Sequence, residues 1–129
     1  TRPGAAVAAS WAVLNHLGLE GYDRAAGNLA NMVDGYVAGL EAIPGIELWA
    51  HPDLTILNFG SSEVDIYAVA ELMRSRGWIP GLTRDPRGLH TMLAMQHDPV
   101  RDRYLADLAD CVEQVRLSRR KSDMSAVYS

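Results

Sequence analysis

Arg84 and Arg87 flank Asp85-Pro86 in a stretch that reads as a turn between two strands. Two guanidiniums on one turn can hold a carboxylate or a phosphate through paired N–H bonds. The plainer reading of the same residues is a solvated turn. His90 falls on the following strand, on the face opposite Leu89, either as a substrate contact or as a hydrogen-bonded structural histidine. Thr1-Arg2-Pro3-Gly4 stands just before a helix-forming run. A helix start with a hydroxyl and free amides favours an anion, although every helix start shares part of that signal.

The other reactive side chains point to less. His16, His51, His90 and His97 lack the paired spacing of a helical metal motif, so no metal site is expected. His51 and His97 sit at turns, beside Pro52 and Asp98-Pro99, and suit surface or capping roles. The glycines are scattered, so there is no phosphate loop, and no G-x-S-x-G elbow is present. Cys111 falls on the apolar stripe of a helix and suits packing. As the single cysteine it excludes an internal disulfide and a cysteine zinc cluster, and it is compatible with a reducing, cytoplasmic setting. Lys121 is the single lysine, so any lysine chemistry must use it or come from elsewhere. Trp11, Trp49 and Trp78 lie on separate elements and read as core or interface aromatics.

The composition narrows the classes further. A chain of 129 residues, 48% hydrophobic and 22% charged, fits one ordinary domain. A net charge of −4 and a pI near 5.4 leave no basic footprint for nucleic acid. Arg119-Arg120-Lys121 reads as part of a solvated tail. The apolar stretch from Gly4 to Leu14 is interrupted by Ser10 and falls far short of the roughly 20 residues that span a bilayer.

The elements that must position these side chains follow from periodicity. Residues 4–18 predict an alanine-rich helix with few charges, and such a helix is buried on most sides. Residues 22–43 predict a second helix with Leu29, Met32, Val33, Tyr36, Leu40 and Ile43 on one stripe, ended by Pro44-Gly45. Residues 46–50 and 54–59 predict an antiparallel hairpin. Ser62 is the expected N-cap of a helix running to Arg76, with Asp65 as its capping-box partner and Gly77 as its stop. Strands are expected at 78–83, edged by Pro80-Gly81, and at 89–95, with Leu89, Thr91, Leu93 and Met95 on one face. Asp98-Pro99 predicts the start of a last helix, with Val100, Tyr104, Leu108, Cys111 or Val112, and Val115 inward. The fold class is therefore α+β, a small, mostly antiparallel sheet of three to four strands packed with helices.

The sequence also resembles a known family. TRPG followed by SWAVLNHLGLEGY resembles the segment after the cofactor lysine in sphingosine-1-phosphate lyases. PDLTILNFGSSEVDIYAVAELMRSRGW, with its D-I-Y and R-G-W elements, is similar to their C-terminal domain. DPRGLHTML resembles the next strand, and SDMSAVYS the A-x-Y motif near the C-terminus. The likeness runs through the whole chain in order. It is specific for the wider group of pyridoxal-phosphate decarboxylases and less so for the lyase branch.

The resemblance implies a homodimeric enzyme of the fold type I transferase class. Its cofactor, pyridoxal 5'-phosphate, is held as a Schiff base by lysine and acts as an electron sink. It cleaves a phosphorylated long-chain amino alcohol, as in sphingolipid metabolism, to an aldehyde and phosphoethanolamine. The Schiff-base lysine should precede Thr1, because Lys121 lies in the wrong context. The absent initiator Met and the over-apolar first helix agree. The chain is thus expected to be a C-terminal fragment, inactive alone. In that reading residues 1–18 connect to an absent large cofactor-binding domain, 19–117 form the small domain and 118–129 a polar tail. By the same resemblance Thr1 and Arg2 lie near the cofactor phosphate, Tyr128 near the active site as a catalytic residue, and His90 on a substrate-facing strand. Arg84 has no counterpart in the family pattern, and its anion-binding role rests on the residues alone. An amino-acid decarboxylase of the glutamate or tyrosine type is the alternative within enzymes. A non-catalytic α+β binding or dimerisation module is the alternative of another class, and the exposed apolar surface expected on residues 4–18 speaks against it.

Overall fold

The computed structural model describes residues 3–126. The expected first two helices are both present, joined across a kink at a single residue into α1 (Gly4–Glu41). Gly18 sits at φ 59 and ψ −175, outside the helical region, and only glycine takes that conformation at no steric cost. The gap expected over 19–21 is therefore absent. Between Pro3 and Asn28 only Gly21 is buried. From Leu29 onward the predicted stripe turns inward, with Met32, Val33, Tyr36 and Leu40 buried and Leu29 half-buried against them. The helix ends at Glu41, two residues before the expected stop, but Ile43 remains buried.

The remaining elements are β1 (Glu47–Leu48), β2 (Ile56–Gly60), α2 (Ile66–Ser75), β3 (Gly81–Arg84), β4 (Arg87–Met92), a 3-10 helix (Met95–Val100) and α3 (Arg101–Ser118). The sheet has the order β1-β2-β4-β3 and every pairing is antiparallel. β2 and β3 both run against β4, so they are parallel to each other with β4 between them. The β2–α2–β3 connection is thus a split β-α-β crossover.

Register sorts the sheet into two faces. Leu48 pairs with Phe59, Phe59 with Leu89, and Leu89 with Leu82, one row across all four strands. That row faces the helices and, with Leu57, supports the buried side chains of α2 and α3. α3 buries Tyr104, Leu108, Cys111, Val112 and Val115, as its periodicity predicts, while Val100 stays half-exposed. Cys111 is fully buried, and burial pushes its thiol pKa up, so it packs and does not react.

Three local expectations are corrected. The N-cap of α2 is Asp65, whose Oδ1 accepts from Tyr67 N at 3.1 Å; Ser62 is exposed and donates to Glu47 instead. Ser61 Oγ accepts from the N–H groups of Glu63 and Val64, making a separate turn before the helix. Local spacing favoured Ser62, but Asp65 has long-range partners that no local pattern reveals. Asp98 does not cap α3: residues 95–100 wind as a 3-10 helix, with His97 N donating to Ala94 O at 2.8 Å and Ala94 N to His97 Nδ1 at 2.8 Å. His97 is therefore a capping histidine. Met95 leaves the strand in that winding and is exposed, not inward with Leu89. The stop of α2 is as expected. Gly77 at φ 91 closes a Schellman motif, with Gly77 N on Arg74 O and Trp78 N on Met73 O, each at 3.0 Å.

A polar clamp joins α2 to α3 at the same end. Arg76 donates to Asp107 Oδ1 at 2.9 Å and to Asp110, and Trp78 Nε1 donates to Asp107 Oδ2 at 2.8 Å. The Trp78 bond, then the Arg76 bond, hold the Asp107 carboxyl below its usual pKa of 3.8. A depressed carboxyl stabilises the fold fully above its unfolded pKa and loses that contribution as pH falls through the folded value. The melting temperature of wild type should therefore exceed that of Asp107→Asn near neutrality. The gap should close below pH 3.8, and a gap independent of pH would disprove the assignment.

Candidate functional site

The β3–β4 hairpin and the chain that returns past it hold most of the polar organisation. Arg84 and Arg87 are direct cross-strand partners, joined by Asp85-Pro86 through a cis peptide. They do not work as a pair. The Arg87 guanidinium lies 3.7 Å from the Tyr67 ring centroid and donates to Asp65 Oδ1 at 3.0 Å. Tyr67 donates its hydroxyl to the Thr83 carbonyl, and Thr83 Oγ1 donates to the Pro86 carbonyl at 2.9 Å. The hairpin end is thus fastened to the start of α2. Arg84 is exposed, with no ion pair or hydrogen bond to another described residue. Of the two guanidiniums, only that of Arg84 has no ion pair with another described residue.

The tail is ordered by the same carboxylate. After α3 the chain turns at Arg119, in the left-handed region at φ 51. Ser122 N donates to Asp65 Oδ2 at 3.1 Å, Ser122 Oγ donates to Glu71, and Arg120 donates to Glu71 Oε2 at 2.8 Å. Met124 and Ala126 pack against the core. The stretch expected to be a solvated polar tail is therefore strapped across α2 as far as residue 126. Burial disfavours the charged form of Asp65. The bonds from Arg87, Ser122 N and Tyr67 N outweigh it and hold the carboxyl below its usual range.

The face of the sheet away from the helices has a different character. Its register positions include Asn58, Gly60, Gly81, Gly88, His90 and Met92. The Trp49 indole lies over Gly60 and Gly88, where a side chain of any size would collide with it. The His90 ring lies over Gly81 in the same way, which explains the Pro80-Gly81 edge of β3. Trp49 Nε1 and Asn58 Oδ1 are buried without a partner among the described residues. Left unpaired, such groups cost about 1–3 kcal/mol each. Nothing in the spacing of Trp49 and Asn58 signals this; it emerges only from the strand register.

The sequence-predicted site residues are thus not gathered. Arg84 faces the helix side at the hairpin end, and His90 lies on the other side of the sheet, opposite Gly81. Three positions along a strand separate them by about 10 Å. The His90 ring makes no hydrogen bond to another described residue. Thr1, Arg2 and Tyr128 lie outside the described residues. Asp65, which sequence reading assigned only to a capping box, is the hub. Among the described residues no group of His, Cys, Asp and Glu is placed to hold a metal, and no helix is long and apolar enough to cross a membrane. Nor do they fit pyridoxal phosphate: Lys121 is exposed on the strap, in an open groove that it lines with Arg119, Arg120, Glu63 and Asp65, and no aromatic side chain lines that groove to stack on a cofactor ring.

No family model matches the chain. Individual relatives do. The chain is 36% identical to the sphingosine-1-phosphate lyase of Oryza sativa over 90% of its own length and 22% of the rice protein. It is 30% identical to sphingosine-1-phosphate lyase 1 of Mus musculus, over 99% of this chain and 23% of that one. A probable L-tyrosine/L-aspartate decarboxylase of Methanothrix thermoacetophila is 35% identical over 90% of this chain and 30% of its own. Among solved structures, the sphingosine-1-phosphate lyase of Burkholderia pseudomallei matches 92% of this chain and 27% of that one, at 32% identity and a TM-score of 0.83. The cystine C–S lyase C-DES shares the fold alone, at 15% identity and a TM-score of 0.60 over 68% of this chain. The chain spans between 22% and 30% of these three sequence relatives. Close sequence likeness over nearly all its residues, together with the same fold, makes this chain a member of the pyridoxal-phosphate-dependent lyase and decarboxylase family that includes sphingosine-1-phosphate lyase.

Proposed function

We propose that the chain is the C-terminal small domain of a carbon–carbon lyase that cleaves a phosphorylated long-chain amino alcohol to an aldehyde and phosphoethanolamine. The match in both sequence and fold to the Burkholderia lyase carries this reading. The enzyme is a cytoplasmic homodimer whose cofactor site is built by a larger domain of the same polypeptide, so the chain alone is inactive. Residues 1–18 lead from that domain, 19–117 form the small domain and 118–129 its tail. The break at Gly18 supports this division. So do Val7, Trp11 and Leu14, which are 65%, 67% and 56% exposed on the first part of α1. Apolar residues so arranged mark an interface. Thr1 and Arg2 approach the cofactor phosphate, Tyr128 contacts the reacting substrate, and His90 contacts the substrate from the face of the sheet away from the helices.

Arg84 supplies a contact to the substrate phosphate from the hairpin end. Arg84→Ala in the complete enzyme should raise KM for the phosphorylated substrate about tenfold, the scale of one charge-assisted hydrogen bond, with kcat little changed. Steady-state kinetics check this, and an unchanged KM removes the role.

The reading as a whole is tested by reducing the complete gene product with borohydride and mapping the pyridoxyl-lysine by mass spectrometry. A label on a lysine other than Lys121 supports it; no label, or a label on Lys121, overturns it. The decarboxylase relative gives a second reading, an amino-acid decarboxylase. Product analysis separates the two, since one releases phosphoethanolamine and the other carbon dioxide.

A further inference from the structure

We propose that Ser122 is a phosphorylation site and that a phosphate there releases the C-terminal strap from α2. The proposal concerns the strap alone and does not depend on the lyase reading. It joins two observations that the proposed function leaves unused. Arg119, Arg120 and Lys121, the one dense run of cations in the chain, stand directly before Ser122. Protein kinases select substrates partly by such charge patterns. A kinase with an acidic substrate groove takes an extended segment that carries cations just before the serine. Residues 120–126 are neither helix nor strand, and from 121 to 126 exposed residues alternate with half-buried ones. Little regular structure must therefore be undone to present them.

Ser122 is also where the strap is held. Its N–H donates to Asp65 Oδ2 at 3.1 Å, its Oγ donates to Glu71, and Met124 N donates to that Oγ at 3.0 Å. Two carboxylates thus meet one serine, an arrangement that suits a hydroxyl and not an anion. Phosphoryl transfer replaces the hydroxyl O–H by an O–P bond. The γ-phosphoryl group comes from a nucleoside triphosphate, the nucleoside diphosphate leaves with the electron pair of the broken P–O bond, and the serine proton passes to the kinase's base. The Oγ then has no hydrogen to give Glu71. In its place stands a charge of about −1.5 to −2 at pH 7, next to the carboxylates of Asp65 and Glu71, and like charges so placed repel. Two guanidiniums at the site are already engaged, Arg87 with Asp65 at 3.0 Å and Arg120 with Glu71 Oε2 at 2.8 Å. If Arg120 turns to the phosphate, Glu71 loses its other hold on the strap. Either way the strap parts from α2, and Met124 and Ala126, which pack against the core, come away with it.

The test incubates the complete gene product with magnesium ATP and the catalytic subunit of cyclic-AMP-dependent protein kinase, which recognises arginines before a serine. Peptide mass spectrometry reads the modified residue, and backbone amide exchange reads the strap. Wild type should take phosphate at Ser122, and Ser122→Ala should lose that label. Exchange over residues 122–126 should then quicken about tenfold or more, the equivalent of one charge-assisted hydrogen bond lost, with α3 unchanged. Arg119→Ala and Arg120→Ala separate recognition from access. Arg120→Ala removes a bond that holds the strap, so access alone would make it the faster substrate. Recognition of the cations should instead slow both variants about tenfold, the scale of one charge-assisted contact. No phosphate at Ser122, or phosphate at Ser125 in its place, overturns the site. Variants labelled as fast as wild type, or faster, overturn the part given to the basic run. Phosphate at Ser122 with unchanged exchange overturns the release of the strap.

Discussion

Phe59→Ala should lower the unfolding free energy by about 3–5 kcal/mol, the cost of truncating a buried aromatic that leaves a cavity. Phe59 is fully buried on β2 and is the second member of the row Leu48–Phe59–Leu89–Leu82. Its two strand neighbours are fixed by the ladder on either side, so they cannot close in on the space. It belongs to one buried core with Val69 and Met73 of α2 and Leu108 of α3. Urea denaturation measures the loss as a shift of midpoint at constant slope. A loss under about 1.5 kcal/mol would mean that α2 collapses into the space and that the row does not set the helix–sheet spacing.

Gly88→Ala is the second large effect, and its size depends on an atom that cannot move aside. A Cβ at Gly88 would lie 2.6 Å from the Phe59 carbonyl oxygen and closer still to Trp49 Nε1. The carbonyl belongs to the β2–β4 ladder, so relief requires the strands to part. The expected cost is at the top of the overpacking range, about 3 kcal/mol. Gly60→Ala meets only the Trp49 ring among its nearest atoms, and Gly81→Ala only the His90 ring. A double-mutant comparison separates the cases. Adding Trp49→Ala should recover most of the stability lost in Gly60→Ala and little of that lost in Gly88→Ala. Equal recovery in both would show that the indole, not the ladder, makes Gly88 obligatory.

Much of this architecture is legible in the sequence because it is local or periodic. The stripes of α1 and α3, the Gly77 stop and the antiparallel strands follow from spacing and from residue conformational limits. The shared C-terminal pattern of the lyase family is legible for the same reason: its motifs are contiguous. What escaped has a common cause in contacts between distant residues. Ser62 is a sound cap by local rules, but Asp65 displaces it because Arg87 and Ser122 come to it from 22 and 57 residues away. Residues 118–126 look like a solvated tail because their polar residues have no local partners, yet Glu71 and Asp65 supply them. Arg84 and His90 sit close in sequence, and strand alternation sends them to opposite faces. The lower interest of Cys111 and His97, by contrast, could be read correctly, since packing and capping leave local signatures.

The three tryptophans give the chain an optical vocabulary. Trp11 is 67% exposed on the free part of α1. Trp78 is pinned by its bond to Asp107. Trp49 lies across the glycines of the open sheet face with its indole N–H unpaired among the described residues. Emission shifts with the solvent and hydrogen bonding around the ring, so each indole reports a different event. A chain retaining Trp49 alone would signal when something gives that N–H an acceptor. One retaining Trp11 alone would signal when the first half of α1 finds a surface to lie on. Trp78 would remain a steady reference for the folded domain between them.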